Sequence, residues 1–379
     1  MHREPSIPRP DWAEKCEWAG FDYHSVDGTY WDESACYRFS SGEIDELESA
    51  AAELHGMCLK TVEQIIKVDA FERLAIPRWC VPYIVDSWNR RAPSLYGRFD
   101  LSYDGMNPPK LLEYNADTPT SALETAVVQW YWLQDVHRDD ADQFNSLHER
   151  LIGRWKILAR NIPVDTPVHF ACVKENPEDL GNLEYLRDTA LQAGLDARFI
   201  FIEDIGWAQE PACFVDCSNQ PVRVLFKLYP WEWLVREPFG PNIPSSGTVF
   251  VEPAWKMLLS NKGLLAALWE LFPEHPNLLP AFLEPRKIEG AYVRKPILSR
   301  EGANIAILSR LGEEIFATQG SYGAEGCVYQ AFQPLPEFDG NHPVIGAWIV
   351  GDEPAGIGIR EDSRLVTTNA SRFIPHYFD

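Results

Sequence analysis

The sequence predicts a mixed α/β chain of the α+β kind, in which antiparallel sheets and one small parallel sheet, with helices around them, enclose a central cleft. Three observations carry this expectation. Strand-like and helix-like stretches alternate over residues 168–202 with βαβ-like spacing. The last third, from Tyr292 onward, holds six short strand-like runs joined by turn-rich links. At 379 residues the chain exceeds one typical domain of about 100–200 residues, so two or three sub-domains sharing a cleft are expected.

A helix begins at Ser40, with Glu43 in its first turn, the pairing that caps a helix N-terminus. Ile44, Leu47, Ala51, Leu54, Cys58, Val62 and Ile65 follow at three- and four-residue steps, which makes one apolar stripe for core packing. Residues 96–103 (YGRFDLSY) and 110–116 (KLLEYNA) alternate, and the turn formers of 104–109 join them into a β-hairpin. Residues 121–135, rich in Ala, Val and Trp, form a second, buried helix. A strand at 168–173, a helix at 185–195 and a strand at 197–202 come next, then an apolar strand at 222–228 (VRVLFKL). Proline-rich loops at 241–244 and 273–285 punctuate the middle. Strands at 292–297, 304–308, 314–318, 328–332, 344–350 and 356–360 are expected to form an antiparallel sheet.

Hydrophobic residues make up 45% and charged residues 24%, which suits a globular protein with a large core. The formal net charge of −22 argues against nucleic acid and anionic membranes as partners, because both need a basic footprint. It leaves two readings: a solvated acidic surface, or an acidic cleft that attracts a cationic amine or a metal. The eight cysteines are scattered without a CxxC pair, which fits free thiols rather than a disulfide scaffold or a zinc site. Residues 1–10 are polar and proline-rich, unlike a signal peptide, and no apolar run reaches the roughly 18 residues of a membrane span. A soluble, cytoplasmic protein is the expectation; oligomeric state is not legible.

Residues two apart on a strand share a face, so Arg98 aligns with Asp100 and Glu113 with Asn115. If the turn centres between Met106 and Asn107, Asp100 pairs with Glu113 and Arg98 with Asn115, and all four share one face. Two carboxylates and an amide oxygen make a hard, oxygen-only site of the kind magnesium prefers. A nearby arginine can grip a phosphoryl group as a planar fork. A surface hairpin with cross-strand ion pairs would leave the same spacing.

Residues 292–305 (YVRKPILSREGANI) read as a strand carrying Lys295, a loop of Arg300, Glu301, Gly302 and Ala303, and a second strand. Such a loop lets backbone N–H groups and basic side chains close over phosphates, although an ordinary exposed hairpin is equally consistent. Lys262 lies in SNKGLL at a helix start, and Lys256 a turn or two earlier; lysines there are usually solvated. Lys227 sits in an apolar strand, where its charge needs a partner. Gln330, Ala331 and Phe332 read either as a core strand or as a backbone hinge for a base. No GxSxG elbow, catalytic cysteine signature or HExxH motif occurs.

Taken together, GRFDL, LLEYNADTPTSALE, LSNKGLL, YVRKPILSREGANI and IGIREDSRLVTTNASRFIPHY resemble the glutathionylspermidine synthetase family, particularly its stand-alone bacterial members. The opening GFDYHSVDGTYWDESACYRFS is similar to it too. The resemblance implies an ATP-grasp fold that uses ATP and Mg2+. It implies that Asp100, Glu113 and Asn115 hold the metal, with Arg98 on the transferred phosphoryl group. Lys262 and Lys295 would hold the nucleotide phosphates. Arg300, in the loop with Gly302, would close over the γ-phosphate, with Arg360 at the reacting centre. Gln330, Ala331 and Phe332 would line the adenine pocket, and Thr118, Thr120, Ser121 and Glu124 mark where the family meets its thiol peptide. The approximate parts are 1–165 (N-terminal helices and metal-binding hairpin), 166–245 (small α/β sub-domain) and 246–379 (nucleotide-binding part), together one catalytic unit. Nothing in the sequence resembles the amidase domain of the bifunctional members.

The implied activity is an acid–amine ligation through an acyl-phosphate, with small-molecule acid and amine substrates, a glutathione-like peptide and a polyamine among them. Two other readings stay open: a nucleotide-binding protein without ligase activity, and a carbohydrate hydrolase, since the chain is acidic and holds 14 Trp and 14 Tyr.

Overall fold

The computed structural model describes residues 1–379 apart from 26–27, 138–139 and 369–370. Residues 369–370 of the last stretch quoted above therefore lie outside the described residues.

The apolar stripe produces the expected long helix, Ser41–Lys67. The Ser40 side chain accepts from Glu43 N, and the Glu43 carboxylate accepts from Ser40 N, so two donors of the helix N-terminus are satisfied reciprocally. Ile44, Leu47, Leu54, Cys58, Val62 and Ile65 face the larger core. The helix lies against Leu264–Leu271 and against the strand His342–Val350.

The hairpin strands Tyr96–Ser102 and Lys110–Asn115 form as expected, but their sheet is larger than the sequence indicates. Its order is Arg372–Ile374, Glu353–Asp362, His342–Val350, Tyr96–Ser102, Lys110–Asn115, all antiparallel. The strands of the last third thus divide between two sheets, a correction to the single sheet expected. Tyr292–Pro296, Ala306–Leu308, Glu314–Ala317 and Cys327–Ala331 join Ala281–Phe282 in a second five-stranded sheet. Alternation fixes which face of a strand is apolar; it does not name a partner more than two hundred residues away in sequence. The 1–165 and 246–379 parts consequently share a sheet.

The parallel sheet has the order Val249–Val251, Val224–Lys227, Val168–Cys172, Ala197–Phe201. Its crossover helix is Pro177–Gln192, which starts well before residue 185. Asn176 caps it by accepting from Asp179 N, and Pro177 fills the first turn, where a missing N–H costs nothing. Residues 121–135 are helical as expected but open with a π turn, Glu124–Val128, ahead of Gln129–Val136. A three-stranded sheet of His2–Pro5, Ala35–Phe39 and His376–Phe378, not expected from sequence, brings the two ends of the chain together.

All eight cysteines are free. Among the described residues, no helix is long and apolar enough to cross a membrane.

Candidate active site

The expected pairing of the site residues is observed, Arg98 opposite Asn115 and Asp100 opposite Glu113, but a bulge beyond Asp100 pairs Leu101 with Leu111 and Ser102 with Lys110, so the turn centres on Met106 rather than between Met106 and Asn107. On the other side, Asp100 opposes Gly346, which in turn opposes Gly358, two residues before Arg360 on the same face. The glycine at 346 has a steric purpose, because a Cβ there would stand 2.8 Å from Arg98 Cδ. The Arg98 side chain crosses this gap in the sheet surface, with its guanidinium 5.8 Å from the Trp348 ring centre.

Arg98 and Asp100 are both buried, unlike the partners of a surface hairpin. Arg98 Nε donates to Asp100 Oδ1 at 2.8 Å, and Arg98 Nη1 donates to Thr120 O at 2.7 Å. Arg360 Nη2 donates to Asp100 Oδ2 at 2.8 Å, so one carboxylate takes two guanidinium groups. Glu113 lies 2.9 Å from Lys262 Nζ and accepts from Asn115 Nδ2 at 3.0 Å. Burial pushes the Glu113 carboxyl up, but Lys262 and Lys295 pull harder and hold it well below the usual carboxylate range. Lys295 Nζ donates to Leu112 O at 2.8 Å and to Gln330 Oε1 at 2.7 Å. Burial pushes its ammonium down to about 8, against the pull of Glu113.

The lysines expected to be solvated are not. Lys262, just ahead of Leu264–Leu271, reaches Ser299 O as well as Glu113. Lys256 is buried and donates to Tyr96 O and Ala116 O. The helix start they flank is packed against the hairpin, so their heads point inward.

The loop after Lys295 also turns inward. Arg300 Nη1 donates to Glu232 Oε1 at 3.2 Å and Nη2 to Thr118 Oγ1 at 2.5 Å. Gly302 has φ +70°, and a Cβ on it would lie 2.6 Å from Thr367 O, so only glycine fits there comfortably.

Two adjoining hollows collect the expected residues. The larger, about 1700 Å3, is lined by Arg98, Asp100, Glu113, Asn115, Thr118, Thr120, Ser121, Arg300, Gly302 and Arg360. The smaller, about 750 Å3, is lined by Lys262, Lys295, Gly302, Gln330, Ala331 and Phe332, and again by Asp100 and Glu113. The hollows therefore meet at the paired carboxylates. At the hinge, Ala331 N donates to Pro280 O and Phe332 N to Ala291 O, while the Gln330 side chain holds Lys295. Residues 330–332 thus offer a ligand a wall rather than free N–H donors at 331 and 332.

Glu124 stands apart from the other residues expected on the substrate side. It is fully buried behind Tyr30, whose hydroxyl donates to Glu124 Oε1 at 2.8 Å. Burial, with Glu178 nearby, raises its carboxyl to about 8. Sequence reading missed a further wall of the larger hollow: Tyr23, Tyr30, Glu178, Asp179, Tyr229 and Trp233. Burial and the Glu178 charge raise Asp179 to about 7, and burial also raises Glu178. The only sequence signal was the Asn-Pro-Glu-Asp run, which marks a helix start but not the direction it faces.

Among the described residues, no group of three or more His, Cys, Asp or Glu is arranged to hold a metal. The donor set of Asp100, Glu113 and Asn115 is instead two carboxylates and an amide on one sheet face, which suits a hard cation that completes its shell with phosphate and water oxygens.

Comparison with known proteins agrees with the fold. A glutathione synthetase-like effector of Globodera pallida, solved in apo form, superposes with a TM-score of 0.57 at 12% identity, covering 98% of each chain. A Haemophilus influenzae protein named "Putative acid–amine ligase" is 45% identical over the full length of both chains. Trypanothione synthetase of Crithidia fasciculata is 28% identical over 85% of this chain, and the bifunctional glutathionylspermidine synthetase/amidase of Escherichia coli is 27% identical over 89%. The chain spans only 53% and 58% of those two relatives. Fold and kinship together define a carbon–nitrogen ligase of ATP-grasp type. The chain belongs to the glutathionylspermidine synthase preATP-grasp family, whose model matches residues 3–379.

Proposed function

We propose that this protein joins a small carboxylic acid to an amine, using ATP and Mg2+ to form an acyl-phosphate intermediate. One observation carries the reading: two hollows meet at Asp100 and Glu113, with buried cations on one side and an acidic, aromatic wall on the other.

A carboxylate is a poor electrophile at neutral pH, and phosphorylation gives it a good leaving group. Lys262 and Lys295 hold the nucleotide phosphates, and Gln330, Ala331 and Phe332 flank the base. Asp100, Glu113 and Asn115 would hold Mg2+, which would supply positive charge to offset that developing on the phosphoryl group during transfer. Arg98, Arg300 and Arg360 stabilise the phosphoryl group and then the oxyanion formed when the amine attacks. The loop at Arg300 to Ala303 keeps water from the acyl-phosphate. Thr118, Thr120 and Ser121 contact the acid, with Glu124 supporting that wall through Tyr30. Glu178 and Asp179 attract the cationic amine, which fits the polyamine named in the relatives, and its attack expels phosphate.

The test is phosphate release from Mg-ATP screened against pools of γ-glutamyl peptides, amino acids and polyamines. Release that requires both an acid and an amine is expected. Stabilisation by Mg-ATP in a melting assay without such release would favour a nucleotide-binding protein lacking ligase activity.

A further inference from the structure

Two fully buried charges outside the cleft wall are left without a role by the chemistry above. Lys227, on the central parallel strand Val224–Lys227, lies 2.7 Å from Asp117 Oδ1, and both side chains are fully buried. Lys227 Nζ also donates to Tyr229 O at 2.9 Å and stands 4.7 Å from the Trp231 ring centre. The second oxygen of Asp117 accepts from Trp231 N at 2.8 Å.

A buried ion pair is a poor device for stability. Desolvating two charges costs about as much as their attraction returns, and an apolar pair of equal volume often does as well. What such a pair does supply is direction, because each charge accepts only a few geometries. Here the direction leads to the cleft. Asp117 immediately precedes Thr118, which accepts from Arg300 Nη2. Trp231, gripped by the same carboxylate, immediately precedes Glu232, which accepts from Arg300 Nη1. One anchor of the Arg300 guanidinium thus adjoins Asp117 itself, and the other adjoins Trp231, whose N–H Asp117 holds. Three residues on from Asp117, Thr120 O accepts from Arg98 at 2.7 Å.

We propose that Lys227 and Asp117 are positioning residues that hold Thr118 and Glu232 at the separation Arg300 needs, and so set where the Arg300 loop docks over the cleft. This rests on the ligase reading for its catalytic consequence. The ion pair crosses from the small parallel sheet to the chain leaving the hairpin, so the docking of one part on the other is transmitted to the loop. Neither residue touches substrate in this scheme; each acts through Arg300.

The experiment uses the full chain with Asp117→Glu, which keeps the charge but moves the carboxylate by one methylene. Melting temperature, phosphate release from Mg-ATP and hydrogen exchange of residues 297–305 are measured. Expected are a melting temperature near that of the wild type, a fall in kcat on the order of 10²-fold, as follows from misplacing a catalytic group by about 1 Å, and an unchanged KM for the nucleotide. Exchange at 297–305 should accelerate. Wild-type kcat with wild-type exchange would overturn the proposal. Should Asp117→Glu fail to fold, Thr118→Val combined with Glu232→Leu leaves the buried pair intact and removes both side-chain acceptors of Arg300. The same faster exchange and lower kcat are expected there, and wild-type values for both would equally overturn it. The exchange measurement requires no turnover. If the wild type proves not to be a ligase, that result stands against the function alone, and exchange still decides the positioning role.

Discussion

Replacing Glu113 by Gln isolates charge from shape at the point where the two hollows meet. The wild-type carboxylate has Lys262 Nζ at 2.9 Å and Asn115 Nδ2 at 3.0 Å. Glutamine still accepts from Asn115 but gives Lys262 no counter-charge. Losing a hydrogen bond to a charged group costs about 1.5–3 kcal/mol. For a chain of this length, that corresponds to a drop of roughly 2–4 °C in melting temperature. The effect on chemistry should be far larger. Removing a metal ligand forfeits several kcal/mol of transition-state charge stabilisation, so ADP formation should fall on the order of 10³-fold or more. Metal-free nucleotide should bind at least as well as before, because Lys262 is released to the phosphates. Three measurements are needed: a melting curve, phosphate release at saturating Mg-ATP, and calorimetric titration of ATP in chelator. Wild-type ADP production in a folded Glu113→Gln protein would refute the assignment of Glu113 to the metal.

Gly346→Ala would place a Cβ 2.8 Å from Arg98 Cδ, so Arg98 must leave Asp100 or the strands must part. Overpacking of this kind costs about 1–3 kcal/mol, and a fall in phosphate release beyond what the lower melting temperature explains is expected. Asp179, raised to about 7 chiefly by burial, is largely protonated at pH 6 and ionised at pH 8, so the KM for a cationic amine should fall as pH rises through that window. Asp179→Asn should weaken this dependence, leaving the part that Glu178 carries. The stability effect has the opposite sign: the folded state holds this proton more tightly than the unfolded chain, so its contribution is lost as pH rises toward 7. Ser40→Ala removes the side-chain half of the capping box on the long helix and should cost about 1 kcal/mol. Since the helix packs on the apolar face of the hairpin sheet, away from Arg98 and Asp100, phosphate release should be unaffected once the protein is folded.

Local features were legible where local physics decides them. The Ser40 cap and the apolar stripe specify Ser41–Lys67 because both are helix-period signals. The shared face of Arg98, Asp100, Glu113 and Asn115 was legible from the alternation on either side of Asp104 to Pro109, whereas the bulge beyond Asp100, which shifts the pairing by one residue next to the turn, was not. Non-local features were not legible. Nothing in the sequence says that His342–Val350 adds to the hairpin while Cys327–Ala331 does not, since an apolar strand does not name its partner. The lysines were not legible from spacing alone for the same reason, and only the family resemblance pointed Lys262 at the cleft. Charge suggests solvent, and only the packing of the 254–264 region against the hairpin shows that Lys256 and Lys262 reach inward. Glu178 and Asp179 were not singled out, because the helix was expected only from residue 185 and the sequence gives no hint of what a crossover helix faces.

On the proposed ligase reading, the charge arrangement favours a polyphosphate over a bare metal. Arg98, Arg360, Lys262 and Lys295 bring four cations to two carboxylates, Asp100 and Glu113. Asp100 is shared by two arginines, and Glu113 is pressed by two lysines, one of which is itself pushed down to about 8 by burial. A divalent ion arriving alone would meet carboxylates already neutralised and would add to a positive excess. A triphosphate arriving with the ion gives the lysines and arginines new partners and frees Asp100 and Glu113 to turn toward the metal. Metal and nucleotide should therefore bind cooperatively, each strengthening the other by the same factor. Arg98, Asp100, Glu113 and Arg360 share one face of the hairpin sheet above the glycines at 346 and 358, and Lys262 and Lys295 reach them from elements outside that sheet.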